Sequence, residues 1–90
     1  MIIRQTTQFK KDLKRYQHDE GKIADLAHVI RSLRDTGVVP EEYYPHKLTG
    51  NYKGFMECHV QSDFLLIWFE EGTDTAWLSR LGSHSELFRK

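Results

Sequence analysis

The 90-residue chain balances 13 basic against 13 acidic residues, with 39% hydrophobic and 12% aromatic content. This length holds one domain, residues 1–90, burying roughly 60–65% of its unfolded surface, and the apolar content excludes a disordered chain. Zero net charge excludes nucleic-acid binding through bulk charge, a lone cysteine (Cys58) excludes an internal disulfide, and the lack of a signal-like start or a long apolar run leaves a soluble cytoplasmic protein without membrane contact.

Residues 1–5 carry Ile2 and Ile3 and predict a strand. Thr6 or Thr7 is a candidate helix N-cap. Phe9, Leu13 and Tyr16 then recur on one helical face, with an end expected near Gly21. A second helix is predicted over 22–36, with Ile23, Leu26, Ala27, Ile30 and Leu33 as its apolar stripe and Gly37 as its stop. Residues 38–45, with prolines at 40 and 45, form a loop whose Tyr43 and Tyr44 should fold back onto the domain. Three strands follow, over 52–61, 64–70 and 75–81, joined by short links that favour antiparallel neighbours. The unalternating run Phe64-Leu65-Leu66-Ile67-Trp68-Phe69 should be the central strand, buried on both faces. Ser83 and Glu86 have capping-box spacing, so a helical turn can follow in the tail. The expected fold is α+β, in the order β-α-α-β-β-β. An antiparallel sheet, with room for a mixed edge, packs on a two-helix hairpin.

Charge is segregated along this order. Arg4, Lys10, Lys11, Lys14 and Arg15 surround one acid, Asp12, and Arg89 and Lys90 extend the basic character at the far end. The acids gather at Glu41, Glu42, Glu70, Glu71 and Asp74. A local polyanion-binding face is therefore compatible with neutrality.

Histidine is the side chain best suited to exchange protons near neutral pH. Of the five, His18 and His28 are expected on the solvent side of the helices. His46 leaves the loop and His59 sits late in a strand, whose alternation puts Lys53, Phe55, Glu57 and His59 on one face and Tyr52, Met56, Cys58 and Val60 on the other. Cys58 and His59 thus point apart, which argues against a Cys–His pair. Asp63 follows His59 by four residues, about 13 Å in an extended strand, so the two meet only if the chain bends between them. Asp is also a common turn residue with no further role. The histidine spacings fit no compact metal motif, and there is no phosphate-binding glycine loop, so no metal and no cofactor are expected. Metal-free cleavage of RNA suits such a set. The 2′-hydroxyl is the nucleophile, and the protein needs a base, an acid and cations, for which the histidines, a carboxylate, Lys53 and Arg80 are candidates.

Several matches in fixed order go further than spacing. The segments HKLTGNYKGFMECHV, SDFLLIW and RLGSHSELF resemble the RelE/ParE superfamily of bacterial toxins, and within it the YafQ type of messenger-RNA interferase. The likeness rests on His46, Leu48, Gly50, Tyr52, Lys53, Gly54, His59, Val60, Asp63, Arg80, Gly82, His84, Leu87 and Phe88. It implies a RelE-like fold and a type II toxin that cuts messenger RNA on the ribosome, with 16S rRNA contacts through Lys10, Lys11, Lys14 and Arg15. It implies a cognate antitoxin, which can form a hetero-oligomer with the toxin on operator DNA. By position it implies a catalytic set of His46, His59, Asp63 and His84, and RNA contacts from Lys53, Arg80, Phe88 and Phe64, where Phe64 stands in place of a frequent Trp. In that scheme Asp63 or a neutral histidine takes the 2′-hydroxyl proton, His84 protonates the leaving oxygen, and His46 and His59 orient the phosphate. Two other readings share the scaffold: a ParE-like gyrase inhibitor without nuclease activity, and a non-catalytic binding module.

Overall fold

The computed structural model describes residues 1–88; Arg89 and Lys90 lie outside the described residues. Among the described residues the elements are β1 (Ile2–Gln5), α1 (Thr7–Lys14), α2 (Glu20–Thr36), β2 (His46–Lys47), β3 (Met56–Gln61), β4 (Phe64–Glu71), β5 (Thr75–Gly82) and α3 (His84–Leu87). The strands form one sheet in the order β1-β5-β4-β3-β2. β1 runs parallel to β5 and the other neighbours are antiparallel, so the sheet is mixed at one edge. β4 lies in the middle, as its unbroken apolar run requires.

The two faces of β4 bury different things. Phe64, Leu66 and Trp68 join Phe9, Leu26, Val29, Leu33 and Cys58 beneath α1 and α2. Leu65 and Ile67 face the other way, against Leu87, Leu48, Tyr52 and Phe55. Each fully buried side chain of this size contributes about 1.5–3 kcal/mol, so both faces hold β4 in place. Burial also pushes the Cys58 thiol up to about 12, as expected of a packing residue.

Three expectations need correction. α1 ends at Lys14, well before Gly21, because the Asp19 side chain caps the backbone N–H of Lys22 at 3.1 Å and starts α2 there. Gly21 lies in the first turn of α2, where N–H groups have no intrahelical partner. The strand foreseen over 52–61 begins only at Met56: residues 50–52 form a 3₁₀ turn, and Gly54 takes φ 94°. Tyr52 therefore falls outside the strand's alternation and packs on the site face, opposite Cys58. β2 was not foreseen, since two residues carry no period to read.

Gly37 closes α2 at φ 76°, a left-handed conformation open to glycine. The stretch of β5 beyond β1, from Ser79 onward, is then stitched to α1. Thr6 accepts a hydrogen bond from Phe9 N–H and donates to the Ser79 carbonyl, both at 3.0 Å. Asp12, 1% exposed, accepts from Leu81 N–H at 3.0 Å and Arg80 Nε at 2.9 Å. Burial works to raise the Asp12 pKa, but the bonds from Arg80, Leu81 and Gln8 outweigh it and hold the carboxyl below its usual range.

Candidate active site

Strands β2 and β3, the β3–β4 turn and α3 bring four of the foreseen residues together. His46 pairs with Glu57 in the β2–β3 register, and His59 lies two residues on, on the same face. The His59 ring stands 6.1 Å from that of His46 and 5.8 Å from that of His84. Phe88 continues the row 6.1 Å beyond His84, and Tyr44 meets His59 edge-on at 6.0 Å. The result is three imidazoles flanked by two exposed aromatics.

His84 is fixed twice. Asp63, in the two-residue turn after β3, accepts from the His84 backbone N–H at 2.9 Å and from Nδ1 at 2.8 Å, both on Oδ1. These two bonds, the backbone one first, hold the Asp63 carboxyl below the usual carboxylate range. The bend between His59 and Asp63 exists, but Asp63 meets His84, which in turn stands beside His59. α3 is anchored by its capping box. Ser83 caps Glu86 N–H at 3.2 Å, Glu86 Oε1 accepts from Ser83 N–H at 2.8 Å, and the Tyr16 hydroxyl donates to the same Glu86 oxygen. A Cβ at Gly82 would stand 2.7 Å from Glu86 Oε1 and push on the oxygen that closes the capping box.

His46 is held on both nitrogens. Nδ1 donates to the Tyr44 carbonyl at 2.8 Å, and Nε2 lies 3.0 Å from Glu57 Oε1. Tyr44 adopts φ 52°, a left-handed conformation uncommon for a bulky residue, and is 70% exposed. Glu57 is 3% exposed, and its Oε2 has no hydrogen-bond partner among the described residues. A Glu57 oxygen and ring nitrogens of His59 and His84 lie within 4.8 Å of one another.

The remaining residues foreseen for the site lie outside the row. Arg80 is tied to Asp12, with the Tyr52 hydroxyl nearby, and the ion pair raises its pKa. Lys53 is exposed in a depression shared with Lys47 and Glu70. Phe64 cannot offer a face to a base. It is 1% exposed, on the helix side of β4, 4.7 Å from the Tyr16 ring, because the residue after Asp63 alternates away from the site. Lys10, Lys11, Lys14 and Arg15 are exposed, as are His18 and His28. Sequence reading missed Glu57 and Tyr44. Glu57 had a readable signal, since strand alternation already put it on the face of His59. Tyr44 was expected to fold back onto the domain but is 70% exposed; its left-handed backbone is set by the loop and leaves no signal in the sequence.

A family model described as "Bacterial toxin of type II toxin-antitoxin system, YafQ" matches residues 1–89. The mRNA interferase toxin YafQ of Escherichia coli K12 is 32% identical over 88 residues, covering 96% of this chain and 94% of that protein. The match to a putative toxin YafQ of Haemophilus influenzae is 39% identical but spans about half of each chain, 53% of this one and 50% of the other. In the E. coli DinJ–YafQ toxin–antitoxin complex, the matched chain superposes with TM-score 0.82 at 30% identity, over 96% of this chain and 94% of that one. A metal-bound toxin from Helicobacter pylori superposes with TM-score 0.81 at 36% identity, over 98% and 99%.

Proposed function

The chain belongs to the YafQ family of bacterial toxins of type II toxin–antitoxin systems, and from that premise we propose that it is an endoribonuclease cleaving messenger RNA on the cytoplasmic ribosome, silenced by a cognate antitoxin. The observation that carries the reading is the row His46–His59–His84 with Asp63 behind its last member.

His59 is the base. Its ring nitrogens have no hydrogen-bond partner in the protein among the described residues, so one is free to take the 2′-hydroxyl proton. The 2′-oxygen then attacks the phosphorus, and the bond to the 5′-oxygen breaks. His84 is the acid: with Nδ1–H given to Asp63, Nε2–H is the proton delivered to the leaving oxygen. The Asp63 carboxylate offsets the charge of the doubly protonated ring. A cyclic phosphate and a 5′-hydroxyl result, and no metal or cofactor takes part. His46, committed on both nitrogens, stabilises charge on the phosphate instead of moving a proton. Tyr44, edge-on to His59, and Phe88, beyond His84, suit splayed bases, which proteins hold by stacking. Arg80 and Lys53 supply cations outside the row, while Lys10, Lys11, Lys14 and Arg15 face ribosomal RNA.

The test is primer extension on messenger bound to ribosomes. His84→Ala and His59→Ala should each lower cleavage by about 10²–10⁴-fold, the usual contribution of a general acid or base. Full cleavage by both variants would overturn the assignment, and gyrase inhibition with intact messenger would replace it with the ParE-like reading.

A further inference from the structure

Glu86 ties α3 to the helix layer, on the side away from the histidine row. Its Oε1 accepts from the Tyr16 hydroxyl and from Ser83 N–H at 2.8 Å, and Arg15 approaches Oε2 at 3.5 Å. Tyr16 lies just past α1 and sets its ring against Phe64, with centroids 4.7 Å apart. Phe64 follows Asp63 directly, and Glu86 stands two residues after His84. Neighbours along a strand point to opposite faces, and residues two apart in a helix point roughly opposite ways. Asp63 and His84 therefore meet on the site side, while Phe64, Tyr16 and Glu86 meet on the helix side. The β3–β4 turn and α3 are gripped from both sides.

A helix of four residues has no stability of its own, and its capping box fixes its shape but not its place. The Asp63 and His84 side chains are 63% and 55% exposed, and exposed pairs hold loosely. Arg15 is half-exposed and adds little for the same reason. That leaves two contacts to set where α3 sits: Leu87, buried against Leu65 and Ile67, and the hydrogen bond from Tyr16 to Glu86. Hydrogen bonds to a charged acceptor are the stronger kind. Burial first, and then the bond to Glu86, pushes the Tyr16 hydroxyl up to about 12, so it stays a donor at neutral pH.

We infer that Tyr16 is a positioning residue for the general acid: through Glu86 it fixes α3 so that His84 stands against Asp63 with Nε2 toward the leaving oxygen. The effect on rate rests on the nuclease reading above, whereas the tether itself does not. Tyr16 packs against the helix-side core, across the sheet from the row. Its loss should therefore act on the chemical step and not on messenger binding.

Tyr16→Phe keeps the ring on Phe64 and removes only the hydroxyl. In the ribosome assay its kcat should fall about 10–100-fold, the scale of a slightly misplaced catalytic group, with KM unchanged. Glu86→Ala should share the loss, and Glu86→Gln, which retains an acceptor oxygen, should recover it. A messenger with sulfur in place of the 5′-oxygen at the cleaved linkage separates positioning from folding. Its thiolate leaves without a proton, so Tyr16→Phe and His84→Ala should both cut it at nearly the parental rate while His59→Ala stays slow. In ¹³C titrations of the purified protein, the Asp63 midpoint is held low by its bonds from His84 and should rise toward about 3.9 in Tyr16→Phe. Circular dichroism checks the fold of each variant. Parental kcat in Tyr16→Phe, equal slowing on oxygen and sulfur linkages, or an unmoved Asp63 midpoint overturns the inference. A shifted midpoint in a protein whose parent form leaves messenger intact keeps the tether and overturns the nuclease reading.

Discussion

A single oxygen of Asp63 holds both the backbone and the ring of His84, and its protonation would release both. Because the folded pKa is depressed, the stabilisation is present above the unfolded carboxyl value, about 3.9. It is lost only as pH falls through the lower folded value. Carboxyl ¹³C shifts should therefore show Asp63 titrating below 3.8, and Asp63→Asn should remove this acid-side loss of stability. A midpoint at or above the ordinary value would contradict the pair of hydrogen bonds from His84. Tyr44 is a second case in which one residue separates structure from activity. Asn tolerates the left-handed backbone that Tyr44 adopts, so Tyr44→Asn should leave the melting temperature nearly unchanged. It should still raise KM for messenger, since a stacked base is worth about 1–3 kcal/mol. Tyr44→Phe should retain parental KM; an Asn variant with parental KM would remove Tyr44 from the RNA path. At this scale the histidines were legible because their type and order survive in one dimension. Glu57 was legible in face but not in depth, since burial depends on β2 covering it. Asp12 was hidden among lysines. Its position between Phe9 and Leu13 on the apolar stripe was the sign that it faces inward.

The elements divide labour across β4. Leu66 points to the helices and Ile67 to the site, and both are fully buried. Replacing either by Ala should cost about 2–5 kcal/mol in denaturant unfolding. Cleavage per folded molecule should fall only for Ile67→Ala, whose cavity opens beside Leu87 and α3. Equal activity loss in both variants would mean that the two faces are not independent. Both long helices and the central strand could be foreseen because each carries a sustained period or run. The boundaries that moved did so for local reasons: a side-chain cap at Asp19 and a left-handed glycine at 54. Neither changes the apolar pattern, so the pattern alone overran them. The helical turn in the tail was readable from its cap residues, although it is only four residues long.

The whole molecule is neutral yet polarised, with Lys10, Lys11 and Lys14 exposed along α1. Changing these three to Gln should weaken ribosome binding and flatten its salt dependence. Each lost phosphate contact lowers the slope of log K against log salt by about 0.7–0.9. An unchanged slope would place the ribosomal contact on another face. The site itself depends on the chain's route: β3 and the turn bring His59 and Asp63, then β4 and β5 must be laid down before α3 can return His84 to Asp63. A nascent chain that has emerged only as far as Gly82 holds every other catalytic group and still lacks its acid. The machine that translates this toxin is also its proposed workplace, and the late arrival of α3 gives it a grace period before its product can act.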